Sequence, residues 1–190
     1  EQALAYLAWP TTDAVQDHTE ARTIDILHRV MTLRALEEIR ERQALTYSPM
    51  VDFSASQTFD DYGLISMAGL VTPDNIQPFF TAAQAIAADL AANLVEQDEL
   101  DRARRPVIES LRQAQAGNGW WLSELSDIVE KPGDVEQITT AISDLEAVTP
   151  ADVQAAAQRY LRPETAWKAT VVSVNPPSAT TAPDAQATGS

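Results

Sequence analysis

Apolar residues change their spacing several times along the chain, and each change marks an element. Residues Ala3 to Trp9, ALAYLAW, form a continuous apolar run with two aromatics in it, the pattern of a buried strand. Pro10 is expected to end that strand, because proline cannot donate to a sheet ladder. Thr11 to His18 reads as a polar loop. From about Thr19 to Gln43 the period becomes helical. Ile24, Leu27, Met31, Ala35 and Ile39 recur at three- and four-residue steps, Ile26, Val30 and Leu33 widen the stripe, and Arg34, Glu37, Glu38 and Glu41 fill the other face. The period then drops to two. Pro49, Val51, Phe53 and Ala55 alternate with Met50, Asp52, Ser54 and Ser56, and a turn around Phe59 to Gly63 leads into Leu64 to Val71. These two strands predict an antiparallel hairpin.

The rest of the chain reads mainly as helix. Thr72-Pro73, or Asn75 as a rival cap, opens a helix whose apolar face is Ile76, Phe79, Phe80, Ala83, Ile86, Ala87, Leu90 and Leu94. A second runs from about Asp98 to Ala116, and Pro106 inside it is expected to kink or break it. Gly117-Asn118-Gly119 signals a turn. Helical pieces follow at Trp120 to Val129 and Val135 to Leu145. Thr149-Pro150-Ala151-Asp152 starts the last helix, with a capping threonine, proline at the first position and an acid at the positive helix end. Ala166 to Val174 reads as a closing strand. From Pro176 the chain is Pro, Ala, Thr and Ser without periodic apolar residues, the composition of a disordered tail. Strand, helix, two strands, several helices and a strand predict an α+β fold: a mainly antiparallel sheet with helices packed on one face. The expected organisation is one domain over 1–175 and a tail over 176–190.

Composition narrows the function classes. Of the 190 residues 45% are hydrophobic, normal for a chain that buries a core, and the net charge is −15. That charge argues against nucleic acid and anionic membranes as partners, both of which need basic patches. The chain has no cysteine, which excludes disulfides, zinc–thiolate sites and thiol nucleophiles. No run of 18 apolar residues occurs, so no spanning helix is expected. The apolar pattern is already under way at Glu1, and the chain is expected to be a piece of a longer protein whose targeting signal lies upstream.

Motifs for independent catalysis are absent. His18 and His28 share no metal-ligand spacing, and neither HExxH nor HxxEH occurs. There is no GxGxxG, no GxxxxGK[ST] and no GxSxG. His28 is expected as a packed helix residue and His18 as a loop residue. Glu37-Glu38 and Asp60-Asp61 read as solvated acids. Trp120-Trp121 could form a binding platform, but at least one of the two is expected in the core.

One stretch carries more. Leu36 to Pro49, LEEIRERQALTYSP, together with YGLISMAGLVTPDNI, EQDELDRARRPVIESL and ISDLEAVTPADVQAAAQRYLRPE, in that order, resembles the C-terminal, non-zinc domain of the M16 (insulinase or pitrilysin-like) zinc peptidases. The resemblance covers Gln2 to about Val174. It implies the LuxS/MPP-like fold and a division of labour. Zinc and its HxxEH helix sit in a partner N-terminal domain, on the same chain or a partner subunit. This domain forms the opposite wall of the chamber that receives a peptide, holds no metal and is inactive alone. The family's Arg, and its Tyr seven residues later, fall on Arg40 and Tyr47, and the resemblance implies that they bind the substrate carbonyl or steady the oxyanion. Arg34 and Arg42 are expected to be surface or structural residues, and Arg34 could also face the chamber. Ala44 stands where the family usually has glycine, at a helix end that often needs a left-handed residue. The relatives with similar LTYSP segments imply the bacterial periplasm.

Read from the residues alone, Arg40 and Tyr47 keep a second reading. Arg40 could close a helix C-terminus against the dipole, and Tyr47 could be a half-buried hairpin-edge residue. Two other functions also stand beside the peptidase one: an M16-like binding or structural subunit with no functional zinc partner, and an unrelated α+β dimerisation module.

Overall fold

The computed structural model describes residues 2–14, 17–126 and 134–172; the tail expected over 176–190 lies outside them. Four antiparallel strands make one sheet in the order β2-β3-β1-β4. They are β1 (Ala3–Thr11), β2 (Met50–Ala55), β3 (Gly63–Val71) and β4 (Trp167–Val172). β1 pairs with β3 from Ala3↔Val71 to Thr11↔Gly63 and with β4 from Ala3↔Val172 to Ala8↔Trp167. The hairpin read from the period-two pattern is β2–β3, in register from Met50↔Ala68 to Ala55↔Gly63.

Pro10 does not end β1, which runs on to Thr11. The pairing with β4 stops at Ala8, so Pro10 faces a neighbour only across β3. There the strand is an edge, which is where a residue without an N–H is tolerated.

Helices cover one face of the sheet. α1 (His18–Ala35) is capped by Asp17, whose carboxylate accepts the Glu20 N–H at 2.9 Å. α2 (Ile76–Ala92) follows a 3-10 turn at Pro73–Asn75; Thr72 and Asn75 stand at the two boundaries, but neither side chain makes the expected capping hydrogen bond. α3 (Gln97–Gln115) continues through Pro106 rather than breaking there. Pro106 is on the exposed side, where water can satisfy the carbonyl its ring leaves unbonded. α4 is Asn118–Ser126, α5 is Asp134–Ala147 and α6 is Pro150–Tyr160. The Thr149–Asp152 capping box forms as the sequence predicts: the Thr149 hydroxyl accepts the Asp152 N–H and the Asp152 carboxylate accepts the Thr149 N–H at 2.9 Å. The remainder of the Trp120 to Val129 helix and the last two residues of the closing strand lie outside the described residues.

The core joins Leu7, Trp9, Ile65 and Met67 of the sheet to Ile24, Leu27, Met31, Phe79 and Leu90 of α1 and α2, all buried. Neither residue of Trp120-Trp121 belongs to it. Trp120 is half-buried, Trp121 is exposed and donates its indole N–H to the Gln115 carbonyl at 2.7 Å, and the two rings meet edge to face. That hydrogen bond answers the polar need of Trp121 at the surface of a short helix that has little beneath it to pack into.

Among the described residues no helix lies on the other face of the sheet. Leu4, Tyr6, Leu64, Leu70, Met50, Trp167 and Val171 lie on it by strand alternation and register. Tyr6 and Trp167 stack edge to face at 5.9 Å, and Leu70, Met50, Trp167 and Val171 are all exposed.

Candidate functional site

The site is built where α1 ends. The periodic stripe predicts one α-helix to Gln43, but α1 stops at Ala35 and residues Leu36–Arg42 form a π-turn. Its wider ladder shows in two bonds: Gln43 N–H donates to Glu38 O at 3.1 Å and Leu45 N–H to Ile39 O at 2.9 Å. Such turns are rare and concentrate at functional sites. Ile39 is fully buried and anchors the turn to the core. Ala44 then reverses the chain with φ of 50°, the left-handed conformation that the glycine-for-alanine departure put in question.

The loop beyond is pinned rather than free. Thr46 is buried and its hydroxyl donates to Leu70 O at 2.7 Å. Pro49 is buried too. The loop packs closely because residue 69 is glycine: a Cβ there would stand 3.1 Å from the Thr46 methyl and 2.7 Å from the Phe79 ring. Tyr47 follows Thr46 on this docked segment and is 81% exposed, so it is not the half-buried edge residue that one reading allowed. The Arg40 guanidinium carbon lies 4.9 Å from the centre of the Tyr47 ring. An exposed cation–π contact of this kind contributes about 0.5–1 kcal/mol. The sequence spacing therefore does bring Arg40 and Tyr47 together, beside the Leu70 end of the open sheet face.

Arg40 differs from the other arginines in its electrostatics. Arg22, Arg29, Arg34, Arg42, Arg102, Arg104, Arg105, Arg112, Arg159 and Arg162 each pair with a carboxylate. Among the described residues Arg40 pairs with none, although acids outnumber bases 28 to 13 in the chain. Its place in the last turn of the helix also fits a cation meeting the helix dipole. Chemically, an exposed guanidinium stacked on an exposed phenol offers several N–H donors and one O–H donor within a few ångströms of each other. Both groups can donate to a carbonyl oxygen or to the charge that develops on it.

Arg34 and Arg42, expected to be structural, sit in ion pairs. Arg34 bridges α1 to α2 and α3 through Asp89 and through Glu99 at 2.8 Å, and Arg42 pairs with Glu37 and with Glu38 at 3.1 Å. These charges line a cavity of about 770 Å³ on the flank of the π-turn. Neither Arg40 nor Tyr47 lines it, and its charges largely satisfy one another.

The remaining candidates resolve as packing. His28 is largely buried, 3.2 Å from Asp25 and tilted against Phe53. Burial pushes the Asp25 carboxyl up, but the adjacent His28 imidazole and the Arg29 guanidinium outweigh this and hold it below its ordinary value. His18 is the first residue of α1, not a loop residue, and lies 3.7 Å from Asp144. Among the described residues no three His, Asp or Glu side chains gather closely enough to hold a metal ion. With no cysteine either, the residues present do not fit a zinc site. Two buried polar anchors went unread in the sequence, Thr46 under the site and Asp13 at the far end of β3. Thr46 gives no periodic signal. Asp13, fully buried, accepts the Asp61 N–H at 2.5 Å across the hairpin turn, where Asp61 takes φ of 54°.

Known proteins supply the remaining comparison. A chain from Bordetella pertussis Tohama I superposes with a TM-score of 0.76 at 17% identity, over 91% of this chain and 94% of that one. The peptidase M16 inactive domain from Pseudomonas fluorescens gives 0.75 at 19% identity over 92% of this chain and 42% of that one. The periplasmic protease PqqL from Escherichia coli gives 0.73 at 17% identity, over 90% of this chain but 19% of that one. Identities this low speak for the fold alone. No curated protein sequence matches the chain. The sequence profile described as Peptidase M16 inactive domain, however, matches residues 1–107, more than half of the length. The chain belongs to that family, the non-zinc, C-terminal domain of M16 peptidases.

Proposed function

We propose that this domain forms the substrate-facing wall opposite a zinc-bearing domain in an M16-type peptidase. Arg40 and Tyr47 would donate hydrogen bonds to the carbonyl oxygen of a bound peptide and to the oxyanion that grows from it. The observation that carries this reading is Arg40 itself. In a strongly acidic chain it has no carboxylate partner among the described residues and is stacked on an exposed tyrosine. A cation kept unpaired has its charge available to a ligand, and preorganised donors are worth most where charge develops during reaction.

Two further features support a partner domain. Similar structures such as PqqL are several times longer than this chain. The sheet also presents an apolar face without helices, the kind of surface another domain covers. The proposed location is the bacterial periplasm, supported by the description of PqqL as periplasmic.

The test uses the full-length protein. Arg40→Ala and Tyr47→Phe should each lower turnover of a peptide substrate by about 100-fold, the low end of the range for loss of one oxyanion donor, with zinc content unchanged. Wild-type turnover in both variants would return the pair to a helix-end role.

A further inference from the structure

The π-turn under Arg40 is tied by side-chain pairs whose spacing does not suit an α-helix. Arg42 reaches the carboxylate of Glu37, five residues back. The Gln43 side-chain amide donates to Glu38 Oε1, also five back, at 2.7 Å. In an α-helix residues five apart are turned about 140° from each other and do not face. In a π-turn the backbone bond itself spans five residues, as Gln43 N–H to Glu38 O does here, so side chains five apart are brought round to the same side of the turn. The Arg42–Glu38 contact at 3.1 Å, spaced four, is available to both forms.

The anchors on either side of the turn explain why a choice is needed. Upstream, Ala35 and Ile39 are fully buried; downstream, Thr46 is bonded to Leu70 and Pro49 is buried. An ordinary helix end with a left-handed residue closes by a bond to the carbonyl five residues back. Here Leu45, just after left-handed Ala44, closes on Ile39, six residues back. The segment between the anchors thus holds one residue more than an α-helical ending uses, and the π-turn absorbs it.

We infer that Glu37, Glu38, Arg42 and Gln43 are positioning residues: their five-spaced pairs select the π-turn over a continued α-helix and so hold Arg40 above Tyr47. The pairs are solvent-exposed, and exposed pairs contribute little to global stability. They choose between two local registers and do not hold the fold together. Their effect on turnover rests on the substrate-facing reading of Arg40; the geometry does not. Exposed pairs are also screened by salt, so the stack of Arg40 on Tyr47 should loosen as ionic strength rises.

The experiment is run on the full-length protein with arginine-selective isotope labelling. The Arg40 side-chain protons report the ring current of Tyr47, and peptide turnover and the thermal midpoint are measured beside them. Arg42→Ala should abolish most of the Arg40 ring-current shift and lower kcat about three- to tenfold, with KM and the thermal midpoint nearly unchanged. Arg42→Lys should recover part of both signals, and the swap Glu37→Arg with Arg42→Glu should recover most. An unchanged Arg40 shift in Arg42→Ala overturns the inference, as does a lost shift that the swap fails to restore. If Arg42→Ala loses the shift while Arg40→Ala turns over normally, the positioning stands and the substrate-facing reading falls. If Arg40→Ala is impaired but Arg42→Ala loses the shift at full kcat, the link from this geometry to turnover is overturned.

Discussion

Ala44 and Arg40 hold the two residue-scale anomalies of the chain, four positions apart. Ala44 sits at φ of 50°, where an L-residue with a Cβ pays about 1–2 kcal/mol. The sequence made this legible: alanine replaces the glycine usual at that position, and the chain adopts the left-handed turn regardless. Ala44→Gly should therefore stabilise the protein by about 0.5–1 kcal/mol, the strain relieved less the extra freedom of glycine in the unfolded chain. Urea unfolding checks this, and a fall in the midpoint would show that the turn is not strained. Arg40 is the opposite case. Its spacing to Tyr47 was visible in the sequence, but its lack of a partner was not. Whether an arginine finds a carboxylate depends on residues that arrive from distant parts of the chain. Arg34 meets Asp89 and Glu99, 55 and 65 positions away, and Arg22 meets Asp144 across 122.

At the scale of elements, burial periodicity marked out α1, the β2–β3 hairpin and α6, whose cap residues are all local. It missed the change from α to π at Leu36, because the apolar stripe continues in phase to Ile39, while the docking of Thr46 on β3 leaves the segment one residue longer than an α-helical ending uses. Both prolines were over-read for a related reason: Pro10 lies beyond the pairing with β4 and Pro106 on the exposed side of α3, where water can serve the carbonyl left without its donor, and that is known only once neighbours are placed. The C-terminal end of α6 carries a pH signal. Burial and the nearby Glu20 carboxylate push the Tyr160 phenol up to about 12. An unfolded tyrosine titrates near 10. The unfolded chain therefore loses this proton first, so the stabilising contribution is fully present below about pH 10 and is lost as pH rises through about 12. Tyr160→Phe should flatten this alkaline decline in urea midpoints measured from pH 9 to 12. An equally steep decline in the variant would assign the effect elsewhere.

For the whole molecule, the helices bury one face of the sheet and leave the other apolar and open. Trp167 is 61% exposed and stacks on Tyr6 across the β1–β4 side of that face. Monomeric proteins seldom leave such a patch uncovered. The isolated domain should therefore bind an apolar fluorescent dye, the full-length protein should bind it less, and Trp167→Glu should reduce dye binding by the isolated domain. Equal binding by the domain and the full-length protein would show that no other domain covers the face. The net charge of −15 keeps the rest of the surface soluble without setting the fold.

The sequence by itself determined the order of elements, the α+β class and the buried faces, because the alternation of apolar and polar residues is the direct record of which side of each element leaves water. Its quoted motifs also carried the M16 resemblance. The tertiary structure decided which charges are paired, where the first helix changes from α to π, and which face of the sheet the described helices leave bare. These depend on contacts between residues far apart in the chain, and local periodicity holds no information about them.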